Sequence, residues 1–269
     1  MAKTILITGA TDGIGFATAT QLVKLGHHIL LHGRNKTKLE SAKQKLTALN
    51  TDVSIECYVA DLSVLEEVRV LANEINSHHK KIDVLINNAG VYVVGERVSV
   101  DGLDTRYVVN TISPYLLTKL LLPLLSKHGR IINLSSAAQA GFDPNELATT
   151  SHHSDGKVYA QSKLALTMWS MALANSLKDS DISVIAVNPG SMLGSKMVKE
   201  AYGVNGKDIQ IGVNILCDLA LSDEYKNASG QYFDNDMGRL STPHPHALDM
   251  QNNQKVINVI EAVLTSTLQ

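Results

Sequence analysis

Short apolar runs alternate along the chain with longer stretches in which apolar residues recur every three or four positions. Thr4–Thr8, His28–His32, Ser54–Val59, Val84–Asn87, Arg130–Leu134 and Ser183–Val187 are mostly continuous in apolar residues, and Gly230–Phe233 is a weaker run. Strands read this way when both faces are covered, as in a parallel sheet flanked by helices. The helical period predicts helices at Gly13–Leu25, Lys36–Ala48, Val64–Asn76, Asp101–Leu125, Val158–Leu177 and Val213–Ala220. Strand and helix in strict alternation imply right-handed crossovers and a doubly wound α/β sheet. No Pro/Gly/Ser-rich linker divides the chain, so residues 1–269 are expected to form a single domain. Ligands of such sheets collect at the carboxyl ends of the strands.

Two polar, loop-like stretches interrupt the alternation, at about 139–156 and 191–207. Connections this long in one domain usually carry function, so they are expected to enclose a substrate. Their apolar residues Phe142, Met192, Leu193 and Met197, with Val91 and Val93, are candidate walls for a moderately apolar molecule. The tail, 241–269, opens with Ser-Thr-Pro-His-Pro and ends in an apolar helical pattern.

Hydrophobic residues make up 44% of the chain and aromatics 4%, so the core must rest on Leu, Ile, Val and Ala. A net charge of −2 with scattered Lys and Arg gives no electrostatic reason to expect nucleic acid or an anionic membrane as partner. Thr4–Thr8 is too short for a signal-peptide core, and Thr118, Lys119 and Pro123 break the apolar stretch Leu116–Leu125, so a soluble cytoplasmic protein is expected. Cys57 and Cys217 form no C-x-x-C pair and are expected as reduced thiols. Histidines pair as His27-His28, His78-His79 and His152-His153, but adjacent residues chelate one ion poorly, and no metal site is expected.

The first strand ends in Thr8-Gly9-Ala10-Thr11-Asp12-Gly13-Ile14-Gly15. Gly9 and Gly13 allow a tight turn and close approach of backbone to a pyrophosphate, and Gly15 lets the helix pack on the strand. The helix N-terminus then offers N–H groups and dipole to the phosphates. Strand two ends in His32-Gly33-Arg34-Asn35, without the carboxylate that usually binds the adenosine ribose of NAD. Arg34 could grip a 2′-phosphate, while Asp12 would repel one; the balance favours NADP(H), with NAD(H) the other option.

Tyr159 and Lys163 stand one helical turn apart and share a face. Bringing a phenol from its ordinary pKa of ~10 to about 7 takes about 4 kcal/mol. An ammonium ~5 Å away, at an effective dielectric of about 20, supplies roughly 3 kcal/mol. Tyr159 is therefore a candidate proton donor and acceptor for a carbonyl/alcohol couple. The strand before it ends in Ser135-Ser136, either of which could steady a developing oxyanion. Asn110 lies among apolar helix positions and, if buried, needs partners for its amide.

Taken together, and in this order from Thr8 through Phe233, these residues resemble the short-chain dehydrogenase/reductase family. The pieces are Thr8-Gly9 with Gly13 and Gly15, Asp61-Leu62, Asn87-Asn88-Ala89-Gly90, Asn110, Ser136, Tyr159 with Lys163, and Asn188-Pro189-Gly190. The resemblance implies a seven-stranded parallel Rossmann sheet and hydride transfer between a nicotinamide and a carbonyl or alcohol carbon. It makes Tyr159 the acid/base, with Lys163 on the nicotinamide ribose and lowering the phenol's pKa. Ser136, rather than Ser135, orients the carbonyl, and Asn110 holds a water in a proton relay. It places the turn residues Gly9, Thr11, Asp12, Gly13, Ile14 and Gly15 against the cofactor, together with Arg34. Asp61 is placed at the adenine, Asn88 at the adenosine ribose region, and Pro189 and Gly190 at the nicotinamide side, with Leu62, Ala89 and Gly90 also against the cofactor. In the family, helices matching Asp101–Leu125 and Val158–Leu177 build a homodimer or homotetramer, a contact the tail is placed to block. The segment from Ser136 to Tyr159, Gly33-Arg34-Asn35 and Pro243 look like the retinol-dehydrogenase-like branch, many of whose members carry an N-terminal membrane anchor that is not seen here. Where the family often has Thr after its Pro-Gly, Ser191-Met192-Leu193 follows, with Ser195 further on. The rival expectation is a non-catalytic NADP(H) sensor or regulatory protein on the same fold.

Overall fold

In a computed structural model that describes residues 1–268, the apolar runs become strands of one sheet. These are β1 (Thr4–Ile7), β2 (His28–Gly33), β3 (Ile55–Val59), β4 (Ile82–Asn87), β5 (Leu125–Leu134), β6 (Ser183–Asn188) and β7 (Tyr232–Asp234), parallel and in the order β3-β2-β1-β4-β5-β6-β7. The expected seven-stranded parallel sheet needs one correction: β8 (Arg239–Ser241) adds an eighth strand, antiparallel to β7. Gly238, at φ +64°, helps return the chain, and a three-residue strand is too short to show a period in sequence.

Side chains alternate across the sheet as the pleat requires. Leu6, Leu30, Leu85, Ile131 and Val184 face one apolar layer, and Ile5, Ile7, Ile29, Val84, Ile86, Ile132 and Ile185 face the other. The first layer is covered by α3 (Leu65–His78), α5 (Ser113–Leu121), α6 (Asp155–Ser176) and α9 (Met250–Thr267). The second is covered by α1 (Gly13–Lys24), α2 (Lys36–Thr47) and α8 (Gln210–Leu221). β1 lies between β2 and β4, so strand order reverses there and opens a crevice at the carboxyl edge.

The helix expected over Asp101–Leu125 is broken. The chain passes from α4 (Thr105–Tyr107) through a π-helical segment (Val108–Ile112) into α5, then a 3₁₀ turn at Leu122–Leu124. Pro123 cannot continue the helix, and Leu125 already belongs to β5. The stretch 191–207 contains α7 (Lys196–Tyr202), capped by Ser195 and stopped by Gly203 at φ +69°. α9 packs along α6, and its Glu261 accepts from Tyr115 Oη (2.6 Å) and Lys119 Nζ (2.6 Å) on α5. The faces that the family resemblance assigns to a subunit bundle are thus packed within the chain. Among the described residues no helix is long and apolar enough to cross a membrane.

Candidate active site

The turn after β1 is braced by buried Thr8 and His32 and half-buried Asn88. Gly9 (φ +64°) presses so close to the chain after β4 that an added Cβ would stand 2.9 Å from Ala89 Cα. Gly15 is tighter still, since its Cβ would lie 2.4 Å from Asn88 Nδ2 and 2.5 Å from the Gly9 carbonyl oxygen. Asn88 Nδ2 donates to the Thr8 (2.7 Å) and Gly9 (3.1 Å) carbonyls, and Thr8 Oγ1 accepts from the Asn88 and Ala89 N–H groups, both at 3.0 Å. Asn88 therefore shapes the turn with its amide donors. His32 holds it from the other side: Gly9 N–H donates to Nδ1 (3.2 Å) and Nε2 contacts the Ala60 carbonyl (3.0 Å). A carbonyl can only accept, so Nε2 carries the proton. Burial pushes His32 down to about 4, against smaller raising effects of that bond and Asp61. Asp12 caps α1 by accepting from Gly13 N–H (2.7 Å). Thr11 packs on Gly33, where a Cβ would come within 2.6 Å of its methyl group, and the neighbouring Ile14 packs on the α1-side layer.

Past the end of β2, Arg34 is exposed and has no hydrogen-bond or ion-pair partner for its side chain among the described residues. Asp61 Oδ1 accepts from Ser63 N–H and Oγ (2.9 and 2.7 Å). Leu62 is buried, and its carbonyl accepts from Ser113 Oγ (2.6 Å).

At the other end of the crevice, α6 carries Tyr159 and Lys163, and the helix start is fixed by charge. Asp155, its first residue, accepts from Arg106 Nη1 (2.5 Å) and Arg97 Nη2 (3.0 Å), while Arg106, fully buried, also grips Asp104 through two nitrogens. A guanidinium held this way is costly to break, because one buried charge would be left unpaired. Lys163 Nζ donates to the Leu134 carbonyl (2.7 Å) and lies 5.7 Å from the Tyr159 ring centroid. A Cβ at Gly90 would come within 3.3 Å of that ammonium and 3.4 Å of Asn110 Oδ1, a tight fit that glycine avoids.

The two serines part company at the end of β5. Ser135 is buried and donates to the Lys163 carbonyl (3.1 Å) beside Thr167 Oγ1 (2.6 Å). The Ser136 hydroxyl instead accepts from Ala138 N–H (3.0 Å) and lies near enough to the Tyr159 phenol to favour its charged form. Burial nevertheless dominates and pushes Tyr159 up to about 12, with Tyr202 adding to the rise, while burial brings Lys163 down to about 8. The loss of water around the phenol, which helical spacing does not reveal, outweighs the help of the Ser136 hydroxyl. Tyr159 is thus a neutral phenol at pH 7, suited to giving a proton.

Asn110 sits in the π-helical segment, a distortion common at functional sites. Its Oδ1 accepts from Val91 N–H (2.8 Å), and its Nδ2 donates to the Val91 carbonyl (2.9 Å) and Ser162 Oγ (3.0 Å). The side chain thus ties the loop following Gly90 to α6, and its amide hydrogens and oxygen all have protein partners.

A family model described as short chain dehydrogenase matches residues 3–203. The chain belongs to the short-chain dehydrogenase family. It is 32% identical over 266 residues to retinol dehydrogenase 13 of Mus musculus, covering 92% of this chain and 79% of that protein. It is 31% identical over 269 residues to short-chain dehydrogenase TIC 32 A, chloroplastic, of Brassica napus, covering 91% and 83%. A solved short chain dehydrogenase of Escherichia coli CFT073 complexed with NADPH matches with a TM-score of 0.71 at 25% identity, over 87% of this chain and 96% of that one. The family is one of NAD(P)-dependent oxidoreductases.

In this short-chain dehydrogenase the apolar walls expected from sequence are redistributed. Val91 and Phe142 pack against the core and Leu193 is buried, whereas Val93 and Met192 are exposed and Met197 is half-buried. The sequence reading passed over two aromatics beside the phenol. Tyr92 packs on Tyr159 with ring centroids 4.8 Å apart, and Tyr202 of α7 reaches it with a hydroxyl–hydroxyl contact of 3.2 Å. Gly156 makes room, since a Cβ there would meet Tyr92 Oη at 2.8 Å. An aromatic two residues past Gly90 was the visible signal for Tyr92; Tyr202 had none.

Proposed function

We propose that this short-chain dehydrogenase moves a hydride between NADP(H) and the carbonyl or alcohol carbon of a moderately apolar small molecule. The observation that carries the reading is the convergence of Ser136, from the end of β5, with Tyr159 and Lys163, from one face of α6. The residues present fit the cofactor. Gly9 and Gly13 hold left-handed backbone that admits close approach, Gly90 leaves the space beside Lys163 open, and Arg34 is a free guanidinium past the end of β2. Pro189 and Gly190 would flank the nicotinamide, and Asp61 and Leu62 the adenine. Bound NADP(H) would supply or take up the hydride. In reduction, Ser136 donates a hydrogen bond to the substrate oxygen and Tyr159 gives that oxygen its proton as negative charge develops. Lys163, cationic at pH 7, offsets the charge left on the phenolate. Tyr92, Tyr202 and Met197 would line an apolar substrate, and the name of the mouse relative, retinol dehydrogenase 13, supports an apolar alcohol or carbonyl. α9 covers the faces of α5 and α6, so we expect no subunit assembly through them.

A panel of aldehydes, ketones and alcohols assayed with NADPH, NADH and their oxidised forms tests the reading. Tyr159→Phe is expected to lower turnover about a thousandfold while NADPH binding stays close to wild type. Turnover left intact in that variant would refute the acid/base role. A wild-type protein that binds NADPH but transforms nothing would favour the sensor. Arg34→Ala is expected to weaken NADPH by at least about tenfold and NADH hardly at all, because only the former carries a 2′-phosphate. Equal losses would remove the preference for NADP(H).

A further inference from the structure

β8 folds β7 into a hairpin whose tip is aimed at the turn after β6. Two tip residues hold that turn through side-chain hydrogen bonds. Asn235 Nδ2 donates to the Pro189 carbonyl (2.9 Å) and to the Ile211 carbonyl (3.1 Å) on α8. The Asp236 carboxylate accepts from Ser191 N–H (2.9 Å), from the Ser191 hydroxyl and from Asn188 Nδ2 (2.9 Å). Lys207 Nζ, at the far base of the 191–207 loop, stands 3.9 Å from the same carboxylate. The turn is conformationally demanding: Gly190 is at φ +126°, and Met192 at φ +59° is the one non-glycine residue with positive φ among the described residues. Backbone of this kind persists only where its surroundings over-determine it. Here most of the side-chain bonds that do so come from the hairpin tip.

We infer that Asn235 and Asp236 are positioning residues for the nicotinamide end of the cofactor site, acting through the Pro189–Ser191 turn. The inference rests on the cofactor reading above and adds to it a device that neither the glycine turn nor Tyr159 supplies. Ser191 Oγ is committed to Asp236, so the turn is left to present mainly its backbone to the ring. The adenosine end is held by separate groups, so loss of the clamp is expected to act on one end alone.

The test is Asp236→Asn, nearly isosteric, with Asn235→Ala as a second variant. Each is titrated with NADPH, followed by the nicotinamide fluorescence, and with 2′,5′-ADP, which has no nicotinamide, followed by calorimetry. Expected are about a tenfold weaker NADPH affinity with muted fluorescence enhancement, 2′,5′-ADP affinity within about twofold of wild type, and faster amide hydrogen exchange at 190–193. A lowered kcat at saturating NADPH is expected beside the raised KM. Unchanged NADPH binding, or equal losses for both ligands, overturns the inference while leaving the cofactor reading standing. A wild-type protein that binds neither ligand overturns both.

Discussion

The turn after β1 and the turn after β6 both pass a glycine of positive φ at the carboxyl edge of the sheet, Gly9 at +64° and Gly190 at +126°. What surrounds them differs. Gly9 is fastened by Thr8, His32 and Asn88, of which Thr8 and His32 are buried, through bonds to neighbouring strands. Gly190 is followed by a strained Met192 and fastened by a partly exposed carboxylate on a hairpin. Bonds among buried groups are costly to leave unmade, whereas those reachable by water exchange at smaller cost. The turn after β1 is therefore tied into the core of the fold, whereas the turn after β6 is held by a clamp nearer the surface.

The sharpest break of this contrast is a methyl group at Gly15. Gly15→Ala would push Cβ to 2.4 Å from Asn88 Nδ2 and 2.5 Å from the Gly9 carbonyl, and the latter is backbone that cannot swing aside. The intrinsic helix gain of alanine, up to about 1 kcal/mol, is outweighed by overpacking and by lost bonds from Asn88. We expect stability to fall by about 3 kcal/mol in urea melts, with NADPH binding lost. A variant as stable as wild type would mean the turn yields as freely as the one after β6.

That contrast was half legible in sequence. The glycine spacing and the apolar runs marked the first turn because strand, turn and helix are contiguous there. Tyr159 and Lys163 were legible for the same reason, lying one turn apart on one helix. Ser135 and Ser136 could not be told apart from physical reasoning, since choosing between adjacent hydroxyls requires knowing which one α6 takes into the core. The π-helical segment left no mark, because the partners of Asn110, Val91 and Ser162, lie nineteen and fifty-two residues away. His32 looked like an ordinary strand residue, and the hairpin tip like a surface turn. The water lost around Tyr159 was not legible either, since charge separation follows from helical spacing but burial does not.

pH separates the two ends by their titrating groups. His32 is neutral when buried, with a pKa of about 4 against 6.5 in the unfolded chain. Above 6.5 both states are neutral and its contribution is fully present; as pH falls toward 4 the unfolded chain takes up a proton that the folded one refuses. The loss between pH 7 and pH 5 from this group is about 2 kcal/mol. Asp236 is depressed by Ser191, Asn188 and Lys207 despite its burial, so the hairpin clamp stays charged through this window. Urea melts at the two pH values, on wild type and His32→Gln, should show a shallower dependence in the variant by roughly that amount. Identical dependences would show that the imidazole does not anchor the turn.

The smallest effect expected lies at Met192, and its sign is opposite. The side chain is partly exposed and its backbone is left-handed at φ +59°. Glycine adopts that conformation without the clash of Cβ, a relief of roughly 1–2 kcal/mol, while greater freedom in the unfolded chain takes back up to about 1 kcal/mol. Met192→Gly should therefore raise stability by about 0.5 kcal/mol, read as a small increase in Tm. If strain at this position serves to hold the turn for the cofactor, the same variant loses NADPH affinity while it gains stability. A drop in both would mean that Met192 contributes packing rather than strain, and that the nicotinamide end is more core-like than its exposed clamp suggests.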